Sequence, residues 1–192
     1  MQIVKCYNRE AEEWLKSQIK LIPQPIRDLL KRVKIFCFRT DASADGTVRI
    51  DRKTADGRPS RHTSHFSEEL DAIIIFAKDI CIKEGSFNMF LHEVGHALDW
   101  HLGNRESHIS SKLDCGEPLD THAALNPREQ FAQAFEAWFR IHRSATSSEF
   151  EHTREEVKKK APKLHKLFQQ LAGEPSDIPK HWTHQPKVNL KS

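Results

Sequence analysis

The spacing of apolar residues changes along the chain, and each spacing predicts an element. In "NREAEEWLKSQIKLI" Trp14, Leu15 and Ile19 recur at helical intervals, and Pro23 with Pro25 stops this helix before a second one, "IRDLLKRV". Short strands follow: "KIFCF" (Lys34 to Phe38), "TVRID" (Thr47 to Asp51) and the strongly apolar "DAIIIFAKDI" (Asp71 to Ile80) are rich in aromatic and β-branched residues. The intervening "ASADG" and "KTADGRPSRHTSH" carry turn chemistry, and the second is long enough for a surface loop with a function.

Helical spacing then returns. Ser86 is placed to cap "FNMFLHEVGHALDWHL", whose Phe87, Phe90, Leu91, Val94 and Leu98 share one face, with Gly103 and Asn104 closing it. In "NPREQFAQAFEAWFRIH" Asn126 caps, Pro127 takes the first helical position, and Phe131, Phe135, Trp138 and Phe139 face inward. Thr146 to Lys160 reads as a charged surface helix, and another runs from Pro162 to Gly173. The tail from Glu174 has no periodicity and reads as an extended arm. The expected organisation is a single α+β domain over 1–173, with a small mixed sheet packed on the "HEVGH" helix, a mostly helical C-terminal half, and a Pro-rich tail over 174–192.

Composition narrows the function classes. A 192-residue chain with 38% hydrophobic residues can bury an ordinary core. Its formal net charge of +3 is too small for the dense basic field of a typical nucleic-acid binder. Twelve histidines raise the expectation of metal or acid–base chemistry. Cys6, Cys37, Cys81 and Cys115 form no short-spaced framework and read as reduced thiols. The amino terminus lacks an apolar core of signal-peptide length, and no run approaches a membrane span. The chain as given reads as cytoplasmic with no membrane partner, although a trimmed or unconventionally exported protein would read the same way.

"FLHEVGHALDW" carries the candidate chemistry. Residues four apart on a helix share a face, so His92 and His96 can share one metal ion. Glu93 then falls beside the metal without ligating it, where a carboxylate serves as general base toward an activated water. Gly95 inside this helix costs roughly 1 kcal/mol relative to Ala, a cost that close packing of another backbone against the helix would offset. An HExxH string also arises by chance on amphipathic helices; here it occupies a capped, apolar-faced helix behind a strong strand, the context the mechanism requires.

A catalytic zinc site usually has three protein ligands and one open position. His101 points nearly opposite His92, and the metzincin pattern fails at Asp99 and Leu102. Glu129 and Glu136 on the later helix are the candidates. "HEVGHALD" followed by "PREQFAQAFEAWF" resembles the catalytic half of the anthrax lethal factor-like metallopeptidases, which include the Pro-Pro endopeptidases; the likeness is strongest from Ser86 to Phe139. The resemblance implies a zincin-like fold and assigns the third zinc ligand to Glu129. Glu129 also fits a capping box closed on Asn126, and Glu136 is the fallback ligand or a supporting carboxylate. Where the family has an oxyanion-holding tyrosine, seven residues before the ligand glutamate, this chain has His122. An imidazole N–H can donate the same hydrogen bond; alternatively His122 is a surface residue. Asp99 either orients a ligand imidazole or ends its helix in a surface ion pair. The tract "KKKAPK" reads as a solvated face, with phosphate binding as the alternative.

The expected function is that of a gluzincin-type zinc endopeptidase, with His92, His96 and Glu129 on Zn²⁺, Glu93 as base and His122 at the oxyanion. The expected partner is an extended peptide or protein segment added to a sheet edge. The resemblance suggests flexible basic tails or proline-containing sequences as substrates. The alternatives are an inert zinc-binding interaction module and a basic nucleic-acid-binding protein.

Overall fold

The computed structural model describes residues 1–38, 64–76, 87–140 and 152–172. The strand expected over 47–51, the turn "ASADG", most of the long loop, Ser86, the segment 141–151 and the tail lie outside the described residues. In chain order the elements are β1 (Gln2–Cys6), α1 (Arg9–Leu21), α2 (Gln24–Leu29), β2 (Lys34–Phe38), β3 (His65–Ser67), β4 (Ala72–Phe76), α3 (Met89–Leu102), α4 (Pro127–Trp138), α5 (Arg154–Lys160) and α6 (Pro162–Ala172). Two short 3₁₀ turns, Ile109–Ser111 and Ala123–Leu125, lie between α3 and α4.

The sheet is mixed, with strand order β1-β2-β4-β3. β1 and β2 are parallel, β2 and β4 are parallel, and β3 runs antiparallel to β4. The unbroken apolar run "AIIIF" suits β4 because this strand is buried on both faces. Ile73 and Ile75 join Ile35 and Cys37 in the main core, whereas Ile74 and Phe76 gather with Phe36 and Phe38 on the other face. α3 lies against β3 and β4 on one side and against α4 on the other. The expected α+β architecture, with a small mixed sheet on the "HEVGH" helix, is present. No helix of the described residues is long and apolar enough to cross a membrane.

Several boundaries differ from the sequence expectation. β1 was not expected: it pairs with β2 through Gln2 and Lys34 and through Ile3 and Ile35, but the side chains of Gln2, Val4 and Lys5 are exposed, so an edge strand buries too little to show a pattern. α2 begins at Gln24 because Pro25 is tolerated in a first turn, and it ends before Leu30 and Val33, which turn into the core. β3 includes His65, the last residue of the expected long loop. α5 starts at Arg154, since Thr153 closes a capping box with Glu156.

The cap of α3 is Asn88 rather than Ser86. Asn88 Oδ1 accepts the Leu91 amide, its Nδ2 donates to Gln18 Oε1 at 2.8 Å, and its backbone N–H donates to Glu136 Oε1 at 3.0 Å. One amide side chain therefore caps α3 and ties it to α1, and the backbone ties it to α4. A serine hydroxyl carries its donor and acceptors on a single oxygen, whereas Asn88 spreads them over two atoms. Among the described residues Cys6, Cys37 and Cys115 are not in disulfides, and Cys6 and Cys37 are partners in the parallel register.

Candidate metal centre

Two helices bring the donors together. His92 and His96 lie on one face of α3, one helical turn apart, and Glu129 lies in the first turn of α4. Asn126 Oδ1 accepts the amides of Arg128 and Glu129, satisfying the start of that helix. The Glu129 carboxylate does not return to Asn126 to complete a capping box. It turns instead to the histidines.

The separations are short enough for donors around one ion. His92 Nε2 lies 3.1 Å from His96 Nε2 and 3.2 Å from Glu129 Oε2, and His96 Nε2 lies 3.4 Å from the same oxygen. Atoms bound at about 2.0–2.1 Å to a common tetrahedral ion stand about 3.3–3.4 Å apart. Without an ion, facing imidazole nitrogens require a proton between them, since two lone pairs repel. His122 joins from the turn before α4, with its Nε2 3.0 Å from Glu129 Oε2. One donor atom from each of His92, His122 and Glu129 lies within 4.8 Å of the others, so this group could hold a metal ion.

The electrostatics favour the ligating forms of His92 and Glu129, whereas His96 and His122 are pushed toward their charged forms, which a bound cation would have to displace. Burial lowers the His92 pKa to about 4, which leaves its imidazole neutral near pH 7. Burial alone would raise the Glu129 carboxyl, but hydrogen bonds with His122, His92 and His96 hold it well below the usual carboxylate range. Burial opposes charge on His96 as well, yet Glu129 and Glu93 together raise its pKa. His122 is raised chiefly by its hydrogen bond to Glu129. Glu93 is itself buried, at 4% exposure, directly after the first ligand.

Metal binding has a measurable consequence for stability. A divalent transition metal at about 100 times its dissociation constant stabilises the folded chain by about 2.7 kcal/mol. At roughly 2–4 °C per kcal/mol for a domain of this size, the melting temperature should rise by about 5–10 °C in a thermal-shift assay. A chelator should reverse the rise, and an unchanged melting temperature would contradict a metal centre.

The other candidate residues have different duties. Glu136 is buried in an ion pair with Arg140 and accepts the Asn88 amide, so it supports the start of α3 and is not a ligand. Asp99 is fully buried, and its two oxygens accept the Ser110 N–H and O–H, each at 2.7 Å. It anchors the turn after α3 and ends no surface ion pair; His96 feels its charge, but neither Asp99 oxygen is hydrogen-bonded to a ligand ring. His101 pairs with Asp71 at 2.8 Å. Within the basic tract, Lys160 donates to the Leu119 carbonyl and Lys163 to Asp114, while Lys158 and Lys159 are exposed.

Sequence reasoning missed the support behind His122. Asp120 Oδ1 accepts the Ala123 amide at 2.8 Å, and Asp120 Oδ2 lies 2.8 Å from Nε2 of the buried His152. An aspartate three residues before a 3₁₀ turn is a readable local signal, whereas its pairing with a histidine 32 positions on is not. No protein-family model matches the chain, and no curated protein is significantly similar to it.

Proposed function

We propose that this protein is a zinc-dependent endopeptidase with a zincin-like catalytic arrangement. The observation that carries this reading is the spacing of His92, His96 and Glu129 at 3.1–3.4 Å, which fits the edges of a tetrahedral zinc site. Two imidazoles and one carboxylate are also a recurring ligand set of hydrolytic zinc. When bound, such an ion polarises a carbonyl and lowers the pKa of a coordinated water from 15.7 to roughly 7.

The chain's own groups supply the remaining chemistry. Glu93 accepts the proton of the attacking water and returns it to the leaving amine. His122, half-exposed beside Glu129, presents an N–H toward the developing oxyanion. Among the described strands β3 forms the edge nearest α3, and an extended substrate backbone adds along it. The Glu68–Arg128 ion pair, at 3.2 Å, ties the end of this strand to the residue before the ligand glutamate.

One observation favours a second reading. His122 stands close enough to Glu129 to join the donor set, and a metal held by four protein ligands is ordinarily structural, which would make the chain an inert interaction module. Mass-spectrometric scoring of a diverse peptide library separates the two. The peptidase reading expects cleavage that disappears on chelation and returns with one equivalent of zinc. Tightly held zinc with no cleavage in any peptide would favour the module.

A further inference from the structure

We propose that His122 is a displaceable fourth ligand: it occupies the remaining coordination position of the resting metal centre and leaves when substrate arrives. Its catalytic consequence rests on the peptidase reading above. The ligand count does not.

The position of the ring is the first observation. Glu129 Oε2 is the atom on which His92, His96 and His122 all converge, at 3.2, 3.4 and 3.0 Å. The edge from His122 to Glu129 therefore matches those between the other ligands. The donor atoms of His92 and His122 lie within 4.8 Å, so a shift of at most about 1.5 Å brings this pair to the tetrahedral edge, whereas His96 stands outside that group and the ring must also swing toward it. A rotation of the imidazole about its two side-chain torsions covers such a distance.

Exposure and anchoring explain why this ligand, and no other, can leave. The side chains of His92, Glu129 and His96 are 5%, 15% and 16% exposed, whereas that of His122 is 42% exposed. His122 is therefore the member of the cluster most in contact with solvent. His92, His96 and Glu129 are fixed by two packed helices, but His122 precedes a short 3₁₀ turn. The backbone of that turn is secured through Asp120, which binds the Ala123 amide and His152. The ring can swing while its backbone stays in place.

This arrangement gives one imidazole two uses. With a metal bound, its lone pair would complete an all-protein donor set, and its departure would free that position for a water or a substrate oxygen. A neutral imidazole that ligates through one nitrogen keeps its N–H on the other, so the released ring would still offer a hydrogen-bond donor to the oxyanion. The occupant that displaces it is an oxygen ligand of the carbonyl class.

X-ray absorption on the zinc-loaded full chain tests this directly by counting imidazoles. Three are expected in the wild type and two in His122→Ala, and acetohydroxamate, a bidentate oxygen ligand, should lower the wild-type count to two. A wild-type count of two before any addition overturns the proposal, even if His122→Ala does not fold. Three imidazoles that acetohydroxamate fails to reduce also overturn it, because the fourth ligand is then fixed. A chain that retains no zinc overturns both this proposal and the peptidase reading. Displacement of His122 in a protein that cuts no peptide supports the proposal and overturns only the peptidase.

Discussion

Glu93→Gln is expected to lower peptide cleavage about 10²–10⁴-fold, the range associated with a positioned general base, while zinc remains bound. The amide is nearly isosteric with the carboxylate, so the buried site at 4% exposure keeps its packing and gains no cavity. What disappears is the ability to take a proton. The donor set closes through His92, His96 and Glu129 without Glu93, so the ion should stay. His96 loses one of the negative charges that favour its charged form, a change that assists neutral-ligand binding. Measuring kcat/KM beside metal stoichiometry decides the matter. Undiminished cleavage would remove Glu93 from the reaction, and loss of zinc would make it a support for the ligands.

The sequence expressed some parts of this site much better than others. His92 and His96 were legible because four-residue spacing is a local property of a helix, and Asn126 with Pro127 because caps act within one turn. The choice of Glu129 over Glu136 was not local. Both carboxylates lie on α4, and only the packing of α4 on α3 sends one to the histidines and the other to Asn88 and Arg140. Asp99 was misjudged for a related reason: its helical position placed it near the ligands, but a buried carboxylate goes where donors are available, and Ser110 offers two. The Asp120–His152 pair and the β1–β2 pairing are tertiary contacts with no periodic trace in the chain.

Gly95→Ala is expected to destabilise the protein and loosen the metal together, although helix propensity alone predicts a gain of about 1 kcal/mol. An alanine Cβ at this position would lie 2.8 Å from Ala132 Cα, 3.1 Å from Ala132 O and 3.2 Å from Phe135 Cβ. The first two of these atoms are backbone, so no side-chain rotation relieves them, and truncating Ala132 to glycine leaves the contact in place. α4 must move away from α3. Overpacking of this kind costs about 1–3 kcal/mol, enough to cancel or exceed the propensity gain. Glu129 lies three residues before Ala132 on the same helix, so the displacement carries its carboxylate away from His92 and His96. Ligand separations of 3.1–3.4 Å leave little room for such a shift. The glycine between the two histidines therefore lets Glu129 approach them. Chemical denaturation paired with zinc titration measures both effects, and a stabilised variant with unchanged zinc affinity would show that the two helices can separate without disturbing the site.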